Sequence, residues 1–319
     1  MRCSGVRRLV VGGWFVAALG LFAYLMTRQP LASIGDACLA MGPAVLLAPA
    51  IALTWLVTRS SLLASVLGGR VAWQALVAVR AIGDGYNALV PAAGLAGEPL
   101  KLRRLLRWTS AERALAALVR DRLVDNALGL VVSAAGIAYG IGRLEIPSTA
   151  RGALWVYCAV AAPVGLAMLA AACTRLPARL GGVARRWTRA ARHAPEPLPL
   201  RYAARAIGWG LATRALQLLE TALLLHCIDA PVSVATVAVV DGVLNAAGFV
   251  GFVLPQGLGV VEGAALYVLT GLGSPAAAAT AFALARRGRV LVIGALGIGW
   301  HLAANVAAWL RPARVTDAA

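Results

Sequence analysis

Residues 80–98 read RAIGDGYNALVPAAGLAGE, a string in which charged and amide side chains sit inside an apolar run. On a helix, Arg80, Asp84 and Asn87 share one face, and Arg80 and Asp84, spaced i,i+4, can pair. A lone charge at the bilayer centre costs about 2.5–3.5 kcal/mol on insertion scales, so an intramembrane charge marks a functional site by default. A structural ion pair that locks the segment is the competing reading. Pro91, Gly94 and Gly97 break the helix and let chains approach closely. A short helix starting near Glu98 or Pro99 would aim its N–H groups at an anion. Lys101, Arg103, Arg104 and Arg107 follow, either as a phosphate-binding patch or as a positive anchor on the cytoplasmic side.

A second stretch repeats the device. Asp241 and Asn245 lie in the apolar run 232–254, followed by Pro255, Gly257, Gly259 and Glu262. Its cations come later, at Arg286, Arg287 and Arg289, with no acid beside them in sequence. Asp121, Arg122 and Asp125 occupy the matching region of the first stretch, where Arg122 and Asp125 could pair at i,i+3. Arg214, Gln217 and Glu220 run along one side of the span 202–227, and Glu220 needs a partner or water there. The candidate binding residues are therefore Arg80, Asp84, Asn87, Gly97, Glu98, Arg103, Arg104, Arg122, Glu220, Asn245, Gly257, Gly259, Glu262, Arg286, Arg287 and Arg289. Pro91 and Pro255 are the structural breaks. His193, His226 and His301 are scattered, and no metal set, cofactor motif or nucleotide-binding loop is expected.

The elements that must hold these residues are membrane helices. The chain has 319 residues, 61% of them hydrophobic and 13% charged, with a mean hydropathy of +0.79. This excludes an ordinary soluble enzyme, a disordered chain and a disulfide scaffold. Net charge is +17, carried by 30 basic residues of which only Lys101 is a lysine. The charges cluster between apolar runs, the pattern of cytoplasmic loops and not of nucleic-acid binding. The five cysteines show no CxxC and read as small core residues.

Candidate spans are 9–26, 37–57, 71–93, 110–142, 152–173, 202–227, 232–254 and 289–309, the first retained and not cleaved. The basic loop 174–201 carries seven arginines and is expected in the cytoplasm. Shifting the chain by 164 residues aligns Pro91 with Pro255, Glu98 with Glu262, Ser110 with Ser274 and Arg122 with Arg286, among eight identities across 91–122. If 71–93 and 232–254 dip in and return, nearly every basic cluster, including Arg59 and Arg70, lies inside, and the two dips point in opposite directions. The expected architecture is an all-α polytopic integral membrane protein of six to eight spans with two re-entrant helices and an inverted repeat. It forms one domain, 1–319, with halves 37–142 and 202–309. The misfit is the arginine triplet 286–289, which falls outside or within the membrane.

The strings DGYNALVPAAGLAGEPLKLRRLL and GFVLPQGLGVVEG, with RRGR near the last span, resemble the transmembrane, flippase-like domain of lysylphosphatidylglycerol synthases. The resemblance covers nearly the whole chain and looks nearest to stand-alone members encoded with hopanoid biosynthesis genes, the HpnL type. It implies a helical membrane protein that moves or handles lipids between leaflets. Asn87, Pro91, Gly97 and Glu98 fall on the first family motif; Pro255, Gly257, Gly259 and Glu262 on the second; Arg286, Arg287 and Arg289 on the third. Ala96 and Val290 depart from it, and Val290 leaves the triplet without the acid expected after it. With no soluble aminoacyl-transferase domain in the sequence, lysyl transfer is not expected, and an integral-membrane transferase ranks last. The expected partners are membrane lipids, phospholipid or hopanoid, and a lipid-modifying enzyme, with no nucleic acid. The expected place is the bacterial inner membrane, multi-pass, N-terminus cytoplasmic. The alternative function is a non-catalytic partner that presents lipid to that enzyme.

Overall fold

The computed structural model describes residues 30–89, 96–146, 148–173, 198–251 and 257–309, with scattered positions between 13 and 27. The described residues are helical, with no strand among them. The helices are α1 (Leu31–Ala40), α2 (Leu47–Val66), α3 (Trp73–Leu89), α4 (Glu98–Leu105), α5 (Ala111–Ile141), α6 (Ser148–Cys173), α7 (Leu200–Cys227), α8 (Val234–Val250), α9 (Val260–Gly271) and α10 (Ala276–Trp309), with a 3₁₀ turn at Pro43–Leu46. The expected breaks Pro91 and Pro255, Gly94, the loop segment 174–197 with His193, and most of the span 9–26 lie outside the described residues.

Two expected spans are corrected. The run 37–57 is not one helix: Gly42 takes a left-handed φ of 63° and Pro43 opens a new turn, so α1 stops and α2 starts afresh. Helix α2 then continues through Arg59, which the sequence placed at a membrane edge. The run 289–309 begins at Ala276, so Arg286, Arg287 and Arg289 are interior to a single 34-residue helix.

Three stretches of helix among the described residues are apolar and long enough to cross a membrane: Pro43–Val66, Ala111–Ile141 and Ala150–Cys173. Helix α3 has 17 residues, and charges inside α3, α7 and α10 are paired in the site below.

Packing follows a reciprocal pattern. Helix α2 packs on α7, α3 on α10, and α5 on α8. Small residues set the two crossings: a Cβ added to Gly297 of α10 would lie 2.1 Å from the carbonyl oxygen of Ala81, and one on Gly136 of α5 would lie 2.9 Å from that of Ala238. Close backbone approach through small residues is how helices associate where no hydrophobic gain separates helix from lipid. One apolar cluster includes Leu62, Leu63, Leu76 and Leu105; a second includes Leu224, Leu225, Val240 and Phe282.

Both short helices double back on the helix before them. Gly97 sits against Gly83, where any Cβ would be 1.8 Å from the Gly83 carbonyl, and Leu105 shares its cluster with Leu76 and Val79 of α3. Helix α9 likewise returns along α8, with Leu269 beside Val240 and Leu244.

Candidate functional site: a charged cavity between the two cores

Helix α5 is the hub of the first group of charges. Asp121 accepts from the Arg80 guanidinium of α3, and both side chains are fully enclosed. Arg80 also donates to the main-chain oxygen of Arg59 at 3.0 Å. The i,i+4 pairing of Arg80 with Asp84 is present but long, at 3.9 Å. Asp84 instead takes Lys101 Nζ at 2.7 Å and Arg59 at 3.2 Å. The lysine reaches it because Gly83 has no side chain: a Cβ there would stand 2.0 Å from Lys101 Cε.

Arg122 donates to Glu98 Oε1 from Nε at 3.0 Å and Nη2 at 2.6 Å. Asp125 receives Arg59 at 2.7 Å and Arg214 of α7 at 2.8 Å. Arg214 continues to Gln217 Oε1 at 2.7 Å. The spacing of Arg214, Gln217 and Glu220 thus serves two networks, because Glu220 turns to α10.

Helix α10 is the hub of the second group. Arg286 donates to Asp241 of α8 at 3.2 Å and to Thr221 of α7 at 2.8 Å. Arg287 pairs with Glu262 of α9, donating from Nε at 2.8 Å. Arg289 pairs with Glu220. Asn245 donates to Asp241 Oδ2 at 2.8 Å, one turn away. The triplet's missing acid is therefore supplied by three other helices, which no local spacing reveals.

At each of the two helix N-termini expected to face an anion, the chain's own side chain takes the N-cap amide. Gly97 N–H donates to Asn87 Oδ1 at 2.7 Å, and Asn87 Nδ2 donates to Glu98 Oε1 at 3.3 Å. At α9 the chain caps itself: Gly259 N–H donates to Glu262 Oε2 at 2.7 Å. Gly259, with a φ of 81°, adopts the left-handed backbone that admits glycine without strain.

Between the two hubs lies a cavity of about 610 Å³. Six arginines reach its wall, Arg59, Arg122, Arg214, Arg286, Arg287 and Arg289, against three carboxylates, Asp84, Asp125 and Glu262. Trp55 lies under two of the cations, 4.5 Å from Arg59 and 5.6 Å from Arg289. Buried ions need partners to offset desolvation of several kcal/mol each, and the pairs supply them. Three buried wall donors, Arg59 Nε, Arg214 Nε and Trp55 Nε1, have no partner among the described residues. A water-accessible space rimmed by guanidinium groups suits an oxyanion such as a phosphate.

Of the candidates from sequence, Asp84, Asn87, Arg122, Asn245, Gly257, Glu262, Arg286, Arg287 and Arg289 line this cavity. Arg80, Glu98 and Glu220 lie behind it, on other members of the network. Gly97 and Gly259 shape the two turns instead of lining the cavity. Arg103 is exposed and Arg104 half-buried, and neither reaches the cavity, so the basic run after Lys101 splits. Lys101 is wholly buried, contrary to a surface anchor. Sequence reasoning missed Arg59, Asp125, Arg214 and Trp55 as wall residues. The available signal was an arginine inside an apolar helix pattern, which for Arg59 was read as a helix end.

Comparison with known proteins gives one finding that bears on the whole chain. No curated protein matches it. Residues 8–297 match the lysylphosphatidylglycerol synthase TM region. That match spans most of the sequence, including both glycine-marked turns, helix α5, α10 as far as Gly297 and every residue on the cavity wall. The chain belongs to the lysylphosphatidylglycerol synthase transmembrane-region family, a membrane family with a lipid-related function.

Proposed function

We propose that the chain is a lipid translocase that passes headgroups of anionic or hopanoid-type lipids through the central cavity while the apolar tails stay in the bilayer. The observation that carries this is the cavity itself: guanidinium groups from both halves enclose a polar space inside an apolar helical bundle. The doubled-back pairs α3–α4 and α8–α9 act as opposed re-entrant elements of an inverted repeat, the usual way a transporter places polar groups at the midplane. The protein sits in the bacterial inner membrane with its N-terminus in the cytoplasm, carries out no covalent chemistry, and works beside a lipid-modifying enzyme. Six spans result when the charged helices α7 and α10 cross along with the three apolar ones and the apolar run 9–26.

The test is transbilayer movement in proteoliposomes with a panel of anionic, zwitterionic and neutral polycyclic lipids. Selective movement of one class, lost in Glu98→Gln and Glu262→Gln, is the expected result. No movement from folded and inserted protein, or wild-type movement in both variants, overturns it, and the former leaves lipid presentation to a partner enzyme as the function.

A further inference from the structure

A second cavity adjoins the first. It encloses about 550 Å³ between α4 and α5, and its wall is built from Leu102, Leu115, Leu118, Val119 and Leu123 with the Glu98–Arg122 pair at its head. Arg122 and Asn126 line both cavities. Val119 is 42% exposed, so the apolar groove opens on the outer face of the bundle. The pair that separates the two spaces is the looser of two related pairs: side-chain exposure is 29% and 18% for Arg122 and Glu98, against 15% and 4% for Arg287 and Glu262.

We propose that this groove holds one acyl chain of a phospholipid whose phosphate occupies the central cavity, and that the Glu98–Arg122 pair is the gate between them. The inference deepens the translocase reading and rests on it for the headgroup position. Its own support is continuity. A phospholipid joins its phosphate to its acyl chains through one glycerol unit, and here a cation-rimmed cavity and an apolar groove share two residues. Arg59 and Arg214, each more than nine-tenths buried on the cavity wall, keep a donor without a partner among the described residues. A phosphate drawn to the wall competes with Glu98 for Arg122. Release of Arg122 then opens the way for the headgroup between groove and cavity while the chain attached to it stays in the groove.

The experiment is photolabelling of the purified full-length protein in nanodiscs, using phosphatidylglycerol with a diazirine at the end of one acyl chain. Adducts are expected on the α5 peptide containing Leu115, Val119 and Leu123. In Val119→Trp, which fills the groove from its exposed mouth, labelling of that peptide falls by about tenfold, the change expected when roughly two buried methylene groups lose their place. Leu123→Phe is the second filling variant if Val119→Trp does not fold. Val156→Trp, on the exposed face of α6, leaves the labelling unchanged. A diacylglycerol with the same diazirine chain and no phosphate labels the groove about tenfold less. Equal labelling of α6, or equal labelling by diacylglycerol, overturns the proposal. Measured lipid movement separates the two readings. Movement that persists when the groove is filled sinks the groove and keeps the translocase. Groove labelling in a protein that moves no lipid does the reverse.

Discussion

Helices α5 and α10 meet the same problem, how to bury charge among apolar helices, with different sets of charges. Helix α5 carries acids at Asp121 and Asp125, and their cations stand on α2, α3 and α7. Helix α10 carries cations at Arg286 and Arg289, and their acids stand on α8 and α7. Asp125 and Arg289 are 164 residues apart, the offset that also relates Glu98 to Glu262. The same station on the two hub helices therefore holds opposite charges. The pairs Arg122–Glu98 and Arg287–Glu262 keep one polarity in both halves, from hub helix to the start of the short helix. Under the same offset Arg122 matches Arg286 and Asp121 matches Ala285, so the charge reverses at this one station, and Arg214–Asp125 joins the two groups.

This contrast can be broken at its most buried pair first. Asp121→Asn leaves Arg80 fully enclosed without its charge partner, and is expected to lower stability by about 3–5 kcal/mol in equilibrium unfolding from detergent micelles. The double variant Arg80→Met with Asp121→Leu recovers most of that loss, since two apolar groups need no partners. A double variant as damaged as the single one would show that the pair holds the helices by more than charge compensation.

The two turns differ next. Gly97→Ala drives a Cβ into the Gly83 carbonyl and is expected to cost about 3 kcal/mol or more, as overpacking against immovable backbone does. Gly259→Ala meets a dihedral penalty instead, about 1–2 kcal/mol, visible as a smaller fall in unfolding midpoint. A reversed order would mean that α4 is free to move away from α3. Glu262→Gln and Glu98→Gln come third: the more enclosed Glu262 is expected to lose about 2 kcal/mol and the looser Glu98 about 1 kcal/mol, by the same unfolding measurement. Equal losses would erase the asymmetry on which a one-sided gate depends. Smallest is Arg103→Ala, outside the networks, expected to stay within about 0.5 kcal/mol and to leave anion binding at the cavity unchanged by calorimetry.

Much of this was legible without coordinates. Glu98, Glu262 and the triplet 286–289 stand out because charge inside an apolar run is costly and is kept for a reason. The repeat offset of 164 residues is visible in the same landmarks. What misled was local spacing. Arg80 with Asp84 looks paired on a helix, yet Asp121, 41 residues away, approaches more closely, and Arg122 meets Glu98, 24 residues away. Arg59 looked like a loop charge because a hydropathy window ends at any arginine, whether it faces water or a buried carboxylate.

By itself the sequence determined a helical membrane protein, the breaks that mark its two short helices, and which charges had to be buried, because composition and period are local and the cost of burying charge does not depend on fold. Only the tertiary structure decided which charge answers which, where the cavity lies, and that the chain's own Asn87 and Glu262 take the N-cap amides of the two short helices. Coulomb and hydrogen-bond partners are fixed by distance in space, and helices far apart in sequence bring those distances about.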